Sequence, residues 1–145
     1  FATVHRHRLV AIGAAAEHFC DRLHDHFRVE IWVRNNHIWE KSSDGFQALV
    51  TQCEQSTMSV VAGIVRDAIK SNELAIEGMS AEEVVFGFWS LVHGGQLIAS
   101  TSPSLKHVGI HNTHAVIRRH CYHLMNAMQW APMQTFAEQS RLTDQ

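Results

Sequence analysis

Apolar residues at Leu9, Ile12, Ala16, Phe19, Cys20, Leu23 and Phe27 recur three and four positions apart, which predicts one long amphipathic helix. The stripe begins close to Phe1 with no capping residue ahead of it, so this helix is expected to continue upstream of the given sequence. Residues 28–40 fit two periods at once. Val29, Ile31 and Val33 alternate as in a strand, while Val29, Trp32, Asn36 and Trp39 keep a helical spacing. A lone strand would leave its backbone without partners and no other segment alternates, so a helix is the reading adopted. Ser42, Ser43 and Asp44 then offer N-cap oxygens ahead of Phe46, Leu49, Val50, Cys53, Thr57, Val60, Val61, Ile64 and Ala68. These predict a second long amphipathic helix ending near Lys70.

The clearest start signal is Met79-Ser80-Ala81-Glu82-Glu83-Val84, a capping box with Ser80 as N-cap and Glu83 reaching back to it. The helix that follows, to about Ser100, carries apolar groups on nearly every side and must be covered on nearly every side. Within it Gly87, Ser90 and Gly94 form a narrow seam. Each interior glycine costs about 0.5–1 kcal/mol relative to alanine, which asks for a close backbone approach in return. Ser102-Pro103 starts a last helix, open to a break near Gly109, with Ile117, Cys121, Leu124, Met125 and Met128 on one face. It stops at Trp130-Ala131-Pro132, and the polar tail beyond is expected to fray. The pattern as a whole is an all-α bundle of about five to six helices.

Composition narrows the function classes. The 145 residues, 46% hydrophobic and 18% charged, predict one ordered domain over residues 1–145. Twelve Lys and Arg against fourteen Asp and Glu give a net charge of -2, and no basic run exceeds Arg118-Arg119. Duplex DNA binding by this segment itself is not expected, because such modules carry a clustered basic face. The longest near-apolar stretch, residues 84–99, is interrupted by Ser90, His93 and Gln96 and falls short of the roughly 18–20 residues that span a bilayer. Cys20, Cys53 and Cys121 are odd in number and widely spaced, which suits a reducing, cytoplasmic setting. With no Met at residue 1 and no signal-like leader, the chain reads as a piece of something longer.

Histidine is the compositional outlier, with twelve copies. His107, His111 and His114 would share one face of a continuous helix and could hold Zn²⁺ or Ni²⁺, but a solvated, weakly cationic face is the simpler reading. Gly109 threatens the register, so no metal site and no cofactor is assigned. His93 lies inside the apolar helix beside Trp89 and Gln96. It is either a core histidine bonded to a carbonyl or the polar fixture of a small-molecule pocket. Motifs for hydrolases, di-iron bundles, zincins and phosphate loops are missing, so no catalytic residue is expected.

The uncapped incoming helix, the central FGFWSLVHGGQLIAS and the terminal IRRHCYHLMNAMQWAP together resemble the carboxy-terminal regulatory domain of TetR-family (tetracycline-repressor-like) transcription factors. The resemblance is one of layout over nearly the whole chain. It implies a homodimer joined through a four-helix bundle, here residues 80–100 with the helix ending near Gln129. Gly87, Ser90, Gly94, Ile117, Cys121, Leu124 and Met125 would then face the partner. It also implies a small effector bound inside each subunit and DNA read by an amino-terminal helix-turn-helix that residues 1–145 do not contain. Phe19, Trp32, Cys53, Thr57, Phe86 and Trp89 are the expected pocket walls, with His93 as polar contact. No Lys or Arg shares the helix face of Phe86, Trp89 and His93, so a neutral lipophilic or aromatic ligand is expected. A globin-like haem or metal protein is the alternative, with His93 as axial ligand and His18 or His24 opposite it.

Overall fold

The computed structural model describes residues 4–143, all helix and connecting turns, with no strand among them. Helix α1 spans His5–Arg22, α2 His24–Val33 and α3 Asn36–Trp39. Helix α4 is Asp44–Lys70, α5 Ala81–Thr101, α6 Thr113–Ala127 and α7 Phe136–Thr143. A 3-10 turn over Pro103–Val108 joins α5 to α6.

The expected single first helix is two. Leu23, at φ -116° and ψ 45°, leaves the helical region, and the helix restarts at His24. Phe27 is thereby buried against the ring of His93, centroid to centroid 5.9 Å. Residues 28–40 are helical as expected, split between the end of α2 and the single turn of α3, whose Asn35 side chain caps it through the His37 amide at 3.0 Å. Ser43 caps α4 through the Phe46 amide at 3.3 Å.

Ser80 and Glu83 form the full capping box of α5: the Glu83 amide donates to Ser80 Oγ at 3.2 Å and the Ser80 amide donates to Glu83 Oε2 at 2.6 Å. Gly109 adopts φ 86°, a left-handed conformation that ends the 3-10 turn, and Asn112 caps α6 afresh through the Ala115 amide at 2.9 Å. The break foreseen at Gly109 is therefore real, and His107, His111 and His114 do not lie on one helix.

The tail after Pro132 is a correction. Thr135 and Glu138 make a second capping box, with the Thr135 amide 2.7 Å from Glu138 Oε2 and the Glu138 amide 3.3 Å from Thr135 Oγ1. Helix α7 follows and lies against α1 and α6. Tyr122 and Phe136 meet edge to face with centroids 5.9 Å apart. The upstream continuation expected of α1 falls outside the described residues.

The solid core occupies one end of the bundle. Leu9 and Val10 of α1, Val61, Val65 and Ala68 of α4, Val84, Val85 and Phe88 of α5, and Met125 with Trp130 are all buried there together. In α4 every buried residue lies between Val61 and Ala68, although the apolar stripe starts at Phe46. The first half of that stripe has no solid core beneath it, and this is where the cavity lies.

Candidate functional site

A cavity of about 590 Å³ is bounded by α1, α2, mainly the first half of α4, the stretch of α5 from Val85 to Gln96, α6 from Ile117 to Met125, and Phe136 of α7. That is within the range of roughly 300–1,000 Å³ typical of small-molecule sites. Helical period places the contributors: Phe19 and Cys20 come from the last turns of α1, Cys53 and Thr57 from α4, Trp89 and His93 from α5, and Ile117 and Cys121 from α6. Leu49, Cys53 and Thr57 line the cavity and are themselves exposed, so its mouth opens along α4. The Thr57 hydroxyl donates to the Cys53 carbonyl at 3.0 Å, which leaves its oxygen as an acceptor.

Five of the seven expected ligand contacts reach this cavity: Phe19, Cys53, Thr57, Trp89 and His93. Two do not. Trp32 is 73% exposed because the break at Leu23 turns its side of α2 to solvent. Phe86 is 60% exposed on the outer face of α5, touching Trp89 only edge to face at 6.4 Å between centroids.

The helix face of Phe86, Trp89 and His93 carries no Lys or Arg, as the sequence shows, but a cation reaches the cavity from another element. Arg34, at the end of α2, lies 5.2 Å over the Trp89 ring and lines the cavity. Its Nη2 pairs with Glu30 Oε1 at 2.9 Å and its Nη1 with Glu54 of α4. Glu30 Oε1 is in turn 4.0 Å from His93 Nδ1. A chain of charge, Glu54, Arg34, Glu30 and His93, thus runs across the α2–α4–α5 side of an otherwise apolar wall. The Glu30/Arg34 spacing of four was visible in the sequence as an intrahelical pair. Its meeting with Glu54 and Trp89 was not, since it depends on three helices packing together.

The lining residues include Glu17, Glu30 and Glu54 against Arg34 and Arg118, a formal charge of -3 + 2 = -1 with His93 neutral. Such a rim favours a neutral or weakly cationic polar group over an anion. Burial, together with the Glu30 and Asp21 charges, pushes the Cys20 thiol up to about 11. Burial pushes Cys121 up to about 11 as well. Both are apolar wall rather than nucleophiles.

The expected dimer-facing residues divide. Ser90 is exposed, and a Cβ built on Gly87 or Gly94 meets nothing within 4 Å, so this seam lies on an uncovered face of α5. Phe86 and Ile98, 60% and 52% exposed, continue it. Ile117 and Cys121 instead point into the cavity, and Met125 is buried in the core of its own subunit with Leu124 packed beside that core. The glycine that permits close approach within the chain is Gly95, whose Cβ would sit 2.7 Å from Ile117.

His18 and His24 are exposed, and His93 is the only histidine among the described residues lining the large cavity. No helix among the described residues is long and apolar enough to cross a membrane. No protein-family model, curated protein or solved structure matches the chain.

Proposed function

We propose that residues 1–145 are the effector-binding and dimerisation domain of a TetR-like transcriptional regulator, with DNA read by an amino-terminal helix-turn-helix that is not within them. The observation that carries this reading is the 590 Å³ cavity, apolar over most of its wall and crossed by one strip of polar groups. Its ligand is a small lipophilic or aromatic molecule whose polar end faces His93, Glu30 and Arg34. Because α1 forms one wall, a ligand that fits one placement of α1 better than another shifts the balance between them, and only that difference in affinity can act on DNA.

N-phenyl-1-naphthylamine, a neutral fluorescent lipophile, should bind saturably and brighten. Replacing His93 or Trp89 with alanine should weaken it, while Trp32→Ala leaves it unchanged. Binding without saturation, or indifferent to both cavity variants, would sink the assignment.

The same reading makes the protein a homodimer through the uncovered face of α5. Light scattering should give twice the 16.4 kDa of one chain. Gly94→Leu should weaken association by about 1–3 kcal/mol through overpacking. A Cβ there meets nothing inside the subunit, so a folded Gly94→Leu chain that dimerises normally would remove this face from the interface.

A further inference from the structure

We propose that Glu17, Asp21 and His114 form a binding site for a divalent transition-metal ion, at the junction of α1, α5 and α6 and beside the apolar cavity. The three residues each offer one ligand atom, and those atoms all lie within 4.8 Å of one another. Glu17 and Asp21 are four apart on α1, so both carboxylates project from one face. Asn112 caps α6 and thereby fixes the position of its second residue, His114, whose Nδ1 is 3.7 Å from Glu17 Oε1 and 3.5 Å from Asp21 Oδ2. Donors held at about 2.0–2.2 Å around a tetrahedral ion stand about 3.4 Å apart, so the two distances from His114 need to close by only a few tenths of an ångström, and the two carboxylates, within 4.8 Å of each other, close by side-chain rotation.

The hydrogen bond behind the histidine prepares it for a metal. His114 Nε2 is 3.0 Å from Oε1 of Gln96, a residue only 5% exposed. A carbonyl oxygen can only accept, so Nε2 is the donor of this bond and Nδ1 is turned toward the two carboxylates. Either a proton or a metal ion can occupy the space between Nδ1 and the carboxylate oxygens, and the three-donor set is what favours the metal. The ring N–H held by an amide oxygen is the outer-shell arrangement that orients metal-bound histidines. Arg118 Nη1 is 3.7 Å from Glu17 Oε1, so the Glu17 carboxylate is shared between the guanidinium and the ion, and Asp21 is bound by the ion without such competition.

Beside the cluster lies a cavity of about 150 Å³, lined among others by Asp21, His24, Gln96 and His114, with room for water in the remaining coordination positions. An imidazole with two carboxylates selects Zn²⁺ or a neighbouring first-row ion over Mg²⁺ or Ca²⁺, which prefer oxygen alone. A bound ion would tie the end of α1 to the start of α6.

The test is titration of the whole chain, freed of metal by chelation, with Co²⁺ followed by its visible absorption and then displaced by Zn²⁺. One equivalent should bind. His114→Ala and the exposed-site variant Asp21→Asn should each abolish that equivalent, with helicity checked by circular dichroism. Gln96→Leu should weaken it roughly 10–100-fold, the usual effect of losing such an outer-shell partner. The double variant His107→Ala/His111→Ala should bind as the parent does. No stoichiometric binding, or binding that survives Asp21→Asn in a folded chain, would overturn the site. The titration contains no lipophile, so its outcome is independent of the effector reading.

Discussion

Arg6 is the side chain on which the closed end of the bundle most depends. It is 0% exposed, and its two terminal nitrogens donate to the Trp130 carbonyl at 2.6 Å and to Asn126 Oδ1 at 2.7 Å. A buried guanidinium is tolerated only where its donors are answered, and here they also answer groups that end α6. Arg6→Met keeps much of the volume and leaves the buried Trp130 carbonyl without its donor, a loss of roughly 1–3 kcal/mol, with a smaller one at the half-buried Asn126. Arg8, two residues on, reaches Asp67 at 3.6 Å across a wet surface, and Arg8→Ala should be close to neutral. Urea unfolding of the two variants compares them directly: equal midpoints would mean that Arg6 does not hold α1 to α6.

At the scale of elements, the contact between α5 and α6 turns on Gly95. An alanine there would gain about 0.5–1 kcal/mol of helix propensity. Its Cβ, however, would lie 2.7 Å from both Cγ1 and Cδ1 of Ile117. A β-branched side chain in a helix has little rotamer freedom, so the strain passes to the helix pair or pushes Ile117 further into the cavity. Gly95→Ala should therefore destabilise on the order of 1 kcal/mol and reduce lipophile binding. Ile117→Ala should cost less in the Gly95→Ala background than alone, a coupling measured by a double-mutant cycle. Additive effects would place the two residues out of contact.

Local signals were what the sequence carried well. Ser43 and Ser80 as caps, the end of α4 at Lys70 and the interruption at Gly109 all follow from chemistry within a few residues. The break at Leu23 left no such mark, since the apolar stripe runs through it unaltered. Helix α7 did leave one, Thr135-x-x-Glu138, obscured by the polar residues around it. The cavity wall was legible where it came from the inner faces of long helices, at Phe19, Cys53, Thr57, Trp89 and His93. It failed at Trp32 and Phe86, whose directions are set by tertiary turns, and at Glu17, Asp21 and His114, whose side chains meet only across the fold, from α1 to α6.

For the whole molecule, four glutamates make stability sensitive to acid. Burial works against ionisation of Glu73, but the His5 ring and the His5 amide, each 2.9 Å from its oxygens, outweigh that and hold the carboxyl below its ordinary value. Glu82 is lowered by its own backbone amide and by Arg66, and Glu83 and Glu138 are lowered by the Ser80 and Thr135 ends of their capping boxes. A carboxyl depressed on folding contributes stability that is present above the unfolded value, about 4.3 for Glu, and lost as pH falls through the folded value. All four act in the same direction, and they hold the starts of α1, α5 and α7, Glu73 doing so from the loop after α4 through His5, so the loss should be cooperative across the bundle.

Urea midpoints should therefore fall steeply as pH drops below about 4.3. Glu73→Gln should be less stable than the parent at neutral pH and show a shallower fall in acid, because the variant has one fewer proton to take up on unfolding. Its backbone carbonyl still accepts from the Ala131 amide at 2.7 Å, so the loop after α4 stays in place and the change reports the side chain alone. Parallel curves for the parent and Glu73→Gln would show that the His5–Glu73 pair carries none of the acid sensitivity.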